Sequence, residues 1–203
     1  MRKGKVGSSV SARAEADELH IRAVKEPPLD TVYALPKQGV VLLPGDIDSD
    51  VAAKVILGLY AACAEHAEVK LLISCDGGAL FDGLAIADAI ETLQLHSNTE
   101  IVGHVVGRAF SAAVFPLLAC RRRLAAREAW IGVHGMSDIF QGDIRSAENE
   151  ARFNQRLLEQ QVAIFARRTK RDEAYWTPIL KEQLMHHYSA VEALMEGLID
   201  EVV

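Results

Sequence analysis

Ser111, in GRAFSAAVF (107–115), stands 23 residues before His134, the last residue of WIGVH (130–134). A serine hydroxyl is a weak nucleophile at neutral pH and becomes useful when an adjacent base takes its proton. Histidine is the side chain most often used for that transfer. Gly78, the second glycine of SCDGGALFDG, lies 33 residues upstream of the serine. A glycine pair just after a strand can leave backbone amides open toward a bound group. Amides aimed at a developing oxyanion contribute roughly 10²–10³ in rate each. Gly78 and Ala112, the residue after the serine, are the candidate donors. The chemistry these residue types would perform together is acyl transfer.

Each feature also has a plainer reading. Ser111 could simply cap a helix over 111–120, since serine is a favoured N-cap. The surrounding residues do not form the GxSxG turn. The glycine pair could be a tight strand-to-helix turn. Its spacing, GGxxxxG, is neither a dinucleotide fingerprint nor a P-loop. His134 could be structural. The other six histidines show no ligand spacing, His186 and His187 being adjacent, so no metal or other cofactor is expected.

The elements needed to position these residues follow from hydrophobic pattern. GVVLL (39–43), VKLLIS (69–74), EIVGHVV (100–106) and WIGVH (130–134) read as strands, with CDGG ending the second. Between them, 48–66 has acidic residues at its start and apolar residues Val51, Val55, Leu59 and Ala62 at helical spacing, and 79–93 and 111–120 also read as helices. Pro116 is tolerated in the third because it falls near the first turn. Strands alternating with helices predict an α/β fold with parallel pairing. CRRRLAAR (120–127) reads as a solvated turn.

Residues 146–168 form one unbroken helical stretch of about 33 Å. A compact chain of this length has a radius of gyration near 16–17 Å. The stretch therefore crosses the body or projects from it. Phe153, Leu157 and Ile164 make one apolar row, and Ala151, Leu158, Val162 and Phe165 another. Two rows fit burial against a partner subunit; one broad face on the chain's own core is the other reading. Residues 172–184 read as helical, with Pro178 as an interruption. Ser189 and Glu192 form a capping box for 189–197, Gly197 closes that helix, and LIDEVV ends as a strand.

The 203 residues are 50% hydrophobic and carry a net charge of −6, which disfavours a nucleic-acid surface. Three scattered cysteines make no CxxC pair and fit a reducing compartment such as the cytoplasm. No window approaches the apolar length of a membrane span, and the first residues lack the apolar core of a secretory signal. Residues 1–37 are polar and broken by KEPPLD, which predicts a loosely ordered arm before a single domain at 38–203.

GVVLLPGDID, LLISCDGGALFDGLAIADAI, GRAFSAAV, WIGVHG, a QGD beyond it and YSAVEALMEGLIDEVV occur in an order that resembles the ClpP family of serine peptidases. The resemblance covers about 38–203. It implies the ClpP/crotonase-like ββα spiral with a projecting handle helix, here about 135–168. It further implies homo-oligomeric, heptameric rings, stacked into a chamber. Peptides or unfolded proteins would be the substrates, with an ATP-driven unfoldase as partner. Carried over by residue, Ser111 is the nucleophile, His134 the general base, and Gly78 and Ala112 the oxyanion-hole donors.

The match has gaps. Asp76 replaces a proline before the glycine pair, Ala112–Ala113 replace Met-Gly after the serine, and Gly135–Met136 replace Gln-Pro after the histidine. Met185 stands at the position of the third, acidic member. Three readings follow. Glu182, Asp138 or Asp143 serves instead; or the site runs as a Ser–His dyad or with His134 oriented by a backbone carbonyl; or the chain is an impaired assembly subunit. Misplacing the acid's role costs about 10⁴ in kcat and leaves substantial catalysis, so the leading expectation is a serine endopeptidase, and a weak one. A crotonase-type acyl-CoA enzyme is a lesser alternative.

Overall fold

The computed structural model describes residues 34–135 and 144–203. Most of the expected arm, together with Asp138 and Asp143 at the start of the expected handle, lies outside the described residues.

Among the described residues, eight strands form one sheet. β1 (Ala34–Leu35), β2 (Val40–Ile47), β3 (Glu68–Gly78), β4 (Glu100–Phe110), β5 (Arg122–Ala125) and β8 (Glu201–Val202) lie side by side in that order. β6 (Trp130–Val133) continues from the far half of β4, and β7 (His186–Ser189) pairs with β6. All neighbours from β2 to β8 are parallel, as is β4 with β6; β1 and β7 join antiparallel. Parallel neighbours need crossover connections. α1 (Ser49–Cys63) and α2 (Leu80–His96) supply them for β2–β3 and β3–β4. This is the α/β arrangement that the strand–helix alternation predicts.

Local signals account for the helices. The Asp48 carboxylate caps α1 by accepting the Val51 N–H at 2.8 Å. Val51, Val55, Leu59 and Ala62 then face the core, as their spacing predicts. At α6 (Ala190–Glu196) the capping box of Ser189 and Glu192 is complete, and Gly197 ends the helix with φ +81. α5 (Glu173–Lys181) runs through Pro178 rather than breaking there.

Three strands run further than the apolar pattern indicates. β2 continues through Pro44 and Gly45. β1 pairs only with Val40 and Val41, so at Pro44 no described residue pairs with that side of β2, and among the described residues the missing N–H costs no ladder bond. β3 continues through CDGG, and β4 through GRAF, with a register shift between the two that Gly107 absorbs at φ +93. The additional residues of β3 and β4 are the ones that reach the site.

CRRRLAAR is not a solvated turn. Its centre is β5, with Leu124 and Ala125 buried between β4 and β8. The charge of Arg123 is met there by Asp200, at 2.5 Å from Nη2. Its Nη1 donates to the carbonyls of Arg168 (2.6 Å) and Gly197 (2.9 Å), at the C-terminal ends of the long helix over 144–168 and of α6. A cation is favoured at helix C-termini.

α4 (Ile144–Arg168) is the long helix, about 37 Å at 1.5 Å per residue. Its two ends differ. Leu157, Gln161, Val162 and Phe165 are buried in the body, whereas Glu148 to Phe153 are exposed. Both apolar rows therefore meet the chain's own core at the C-terminal end. Phe153, further along, remains 46% exposed and stacks on Phe81 at 6.2 Å. Phe165 continues the core as an aromatic run, against Phe115 at 5.8 Å and Trp176 at 4.8 Å.

Candidate active site

β4 and β6 end side by side. Phe110 is paired with Gly132 in the last rung, so Ser111 and His134 emerge at the C-terminal ends of neighbouring parallel strands. Ligand sites in parallel α/β sheets form at such ends. The two side chains meet: Ser111 Oγ lies 2.8 Å from His134 Nε2.

Ser111 is not a helix cap. It has φ +53, the sole positive φ at a non-glycine position among the described residues. β4 ends at Phe110, a 3₁₀ turn covers Ser111–Ala113, and α3 (Val114–Ala119) follows. The serine thus sits on a strained strand-to-helix turn that holds its hydroxyl outward. Strain of this kind costs of order 1–3 kcal/mol and persists where the surroundings impose it. Ala112 follows within the turn, where the first N–H groups have no intrahelical partner.

Glycines make the strained turn possible. A Cβ on Gly77 would come within 2.7 Å of the Phe110 carbonyl and of the Ser111 Cβ. On Gly83, in α2, it would meet the Ala112 carbonyl at 2.8 Å. On Gly78 it would run into the Ile47 backbone, with the carbonyl oxygen closest and the nitrogen at 2.7 Å. GGxxxxG is therefore a close-packing pattern: two of its glycines press on the serine turn and one on β2. Gly78, Ser111, Ala112 and His134 line one cavity of about 240 Å³. Its walls are apolar, from Leu80, Phe115, Val133, Phe165 and Leu180, with the buried Gln161 amide among them.

The other face of the His134 ring has no carboxylate partner among the described residues. Nδ1 is 2.5 Å from the carbonyl oxygen of Gly135. The Glu182 carboxylate points elsewhere, to His186 Nε2 at 3.0 Å. Met185, where an acid was expected, packs on β6: its sulfur is 2.7 Å from where a Gly132 Cβ would stand, beside the Phe110 ring. Asp76, in place of proline, makes a two-pronged ion pair with Arg108, and that guanidinium holds its carboxyl below the usual carboxylate range. Of the sequence-based candidates, the structure brings Ser111, His134, Gly78 and Ala112 together and leaves the Glu182 side chain apart. The roles of Gly77, Gly83 and Gly135 are not apparent from the sequence, although the GGxxxxG spacing is a signal for the first two.

Strand topology, the projecting helix and a serine–histidine pair at adjoining strand ends define an α/β protein of the ClpP type. The model of the Clp protease family matches residues 25–203, and the chain belongs to that family. It is a ClpP-type peptidase domain.

Proposed function

We propose that the protein is a serine endopeptidase in which Ser111 is the nucleophile and His134 the general base. The observation that carries this is the 2.8 Å contact of Oγ with Nε2 on a strained turn, at the mouth of an apolar cavity. Ser111 Oγ attacks the scissile carbonyl carbon while its proton passes to His134 Nε2. The tetrahedral oxyanion takes hydrogen bonds from the Gly78 and Ala112 amides. Collapse breaks the C–N bond, and Nε2 returns the proton to the leaving amine. A water then attacks the acyl-enzyme, giving its proton to Nε2. The Ser111 oxygen leaves, recovers that proton and releases the carboxylic acid. The cavity wall of Leu80, Phe115, Phe165 and Leu180 would seat an apolar side chain of the peptide.

Substrates on this reading are peptides or unfolded polypeptides, and the working form is a homo-oligomeric ring. The exposed end of α4 and the half-exposed Phe153 support contact with a second copy. An ATP-driven unfoldase would deliver folded substrates. Met185 favours a second reading, an impaired subunit kept for assembly. A fluorophosphonate probe separates the two. It should label the assembled protein at Ser111, and both labelling and cleavage of a fluorogenic peptide should be lost in Ser111→Ala and His134→Ala. Failure of the wild type to label overturns the peptidase reading in favour of the assembly subunit.

A further inference from the structure

A serine–histidine pair works only if Nε2 is free to accept the serine proton, which requires the neutral ring to carry its proton on Nδ1. In the usual triad an aspartate facing Nδ1 fixes that tautomer, and losing it costs about 10⁴ in kcat. Here the atom facing Nδ1 is the carbonyl oxygen of Gly135, at 2.5 Å. A carbonyl can only accept, so it selects the Nδ1–H form as a carboxylate would.

The carbonyl is itself anchored. The Gly135 N–H donates to the Glu182 carbonyl at 2.6 Å, just beyond the end of α5. Gly135 is buried and pressed on that segment. A Cβ there would collide with the Leu180 carbonyl and come within 2.8 Å of the Glu182 carbonyl. Only glycine lets the chain pass so close while its own carbonyl turns back toward the imidazole. The position usually filled by an acid holds Met185, packed against Gly132 of β6.

We propose that the Gly135 carbonyl, held by the Glu182 backbone, is the positioning group for His134 and takes the place of the triad acid. This rests on the reading of His134 as the base. Glu182 then matters through its backbone and not its carboxylate. Asp138 and Asp143 are not needed. The replacement is incomplete in one respect. A neutral carbonyl orients the ring but adds no full negative charge to stabilise the imidazolium formed during attack, which fits a slower enzyme than a full triad.

The test is long-range nitrogen–proton correlation NMR on histidine-labelled protein, which reports the tautomer of the neutral His134 ring without any substrate. The wild type should show Nδ1–H. A variant with Glu182→Gln, Asp138→Asn and Asp143→Asn together should show the same tautomer. Gly135→Ala should give a tautomer mixture, with kcat lower by about 10² or more and KM changed only a few-fold. An Nε2–H ring in the wild type, or loss of Nδ1–H in the triple acid variant, overturns the proposal. The wild-type measurement needs no variant to fold. It is also independent of Ser111 labelling, so the peptidase reading and this inference can fail separately.

Discussion

Gly77→Ala tests whether the serine turn is held by close packing. At φ +101 any side chain is strained, and the new Cβ would lie 2.7 Å from both the Phe110 carbonyl and the Ser111 Cβ. Ordinary contact begins near 3.4 Å, so the turn must withdraw by about 0.7 Å. A displacement near 1 Å costs about 10² in rate when it falls on reacting groups. The second-order rate of fluorophosphonate labelling at Ser111 should therefore fall by about 10- to 100-fold. Backbone strain of about 1–3 kcal/mol would lower Tm by roughly 2–12 °C at this chain length. Gly45→Ala separates the two effects. Gly45 has φ +56, but nothing among the described residues lies within 4 Å of a Cβ there. It should lose roughly 2–8 °C in Tm from strain alone and label at the wild-type rate. If Gly77→Ala also labels at the wild-type rate, the glycine serves only its own backbone angle, and the packing account of the turn is wrong.

Three further outcomes follow from the packing around the site. Trp176 is fully buried against Phe165 and donates its Nε1–H to Thr169 Oγ1 at 2.8 Å, so Trp176→Ala should cost about 3–5 kcal/mol and roughly 6–20 °C in Tm, read by calorimetry. Ser189→Ala removes one half of the α6 capping box and should cost about 0.5–2 kcal/mol, measured by urea unfolding with an unchanged m-value. Glu196 is held below the ordinary glutamate range, chiefly by its hydrogen bond to Arg171. A lowered folded value means that its stabilisation is present above the unfolded glutamate pKa and lost as pH falls through the folded one. Thermal melts of wild type and Glu196→Gln should thus differ at neutral pH and converge only in acid below the ordinary glutamate range; a constant gap at all pH values would remove the ionic explanation.

What the sequence made legible is what depends on neighbours in the chain. The Ser189–Glu192 box and Gly197 mark helix ends because caps are local devices. The row Val51, Val55, Leu59 and Ala62 marks a buried face because the period is intrinsic. β5 was hidden because the groups that neutralise Arg123 lie far along the chain: Asp200 is 77 residues away and the Arg168 carbonyl 45. β7, HHYS, lacks any apolar alternation and becomes a strand only by pairing with β6. At the site, residue types pointed to Ser111 and His134, but not to the turn that presents the hydroxyl. An N-cap and a strained nucleophile turn both place serine between a strand and a helix; the positive φ that separates them is imposed by Gly77 from a neighbouring strand.

The same distinction explains why the pair is well built while no carboxylate among the described residues faces Nδ1. Ser111 and His134 each follow directly from β4 and β6, and the parallel rungs from Arg108–Trp130 to Phe110–Gly132 set their separation. Their 2.8 Å contact is therefore a property of the sheet. Met185 precedes β7, which joins the sheet only by antiparallel pairing to β6, and its side chain fills the space over Gly132 beside Phe110. The Gly135 carbonyl is one residue from His134, and its anchor to Glu182 comes from the same chain turn that delivers Met185 to β6. Orientation by backbone thus depends on a glycine at 135 and on the end of α5. Substitutions that shift the end of α5 should then disturb the imidazole even though no side chain of that helix touches its Nδ1.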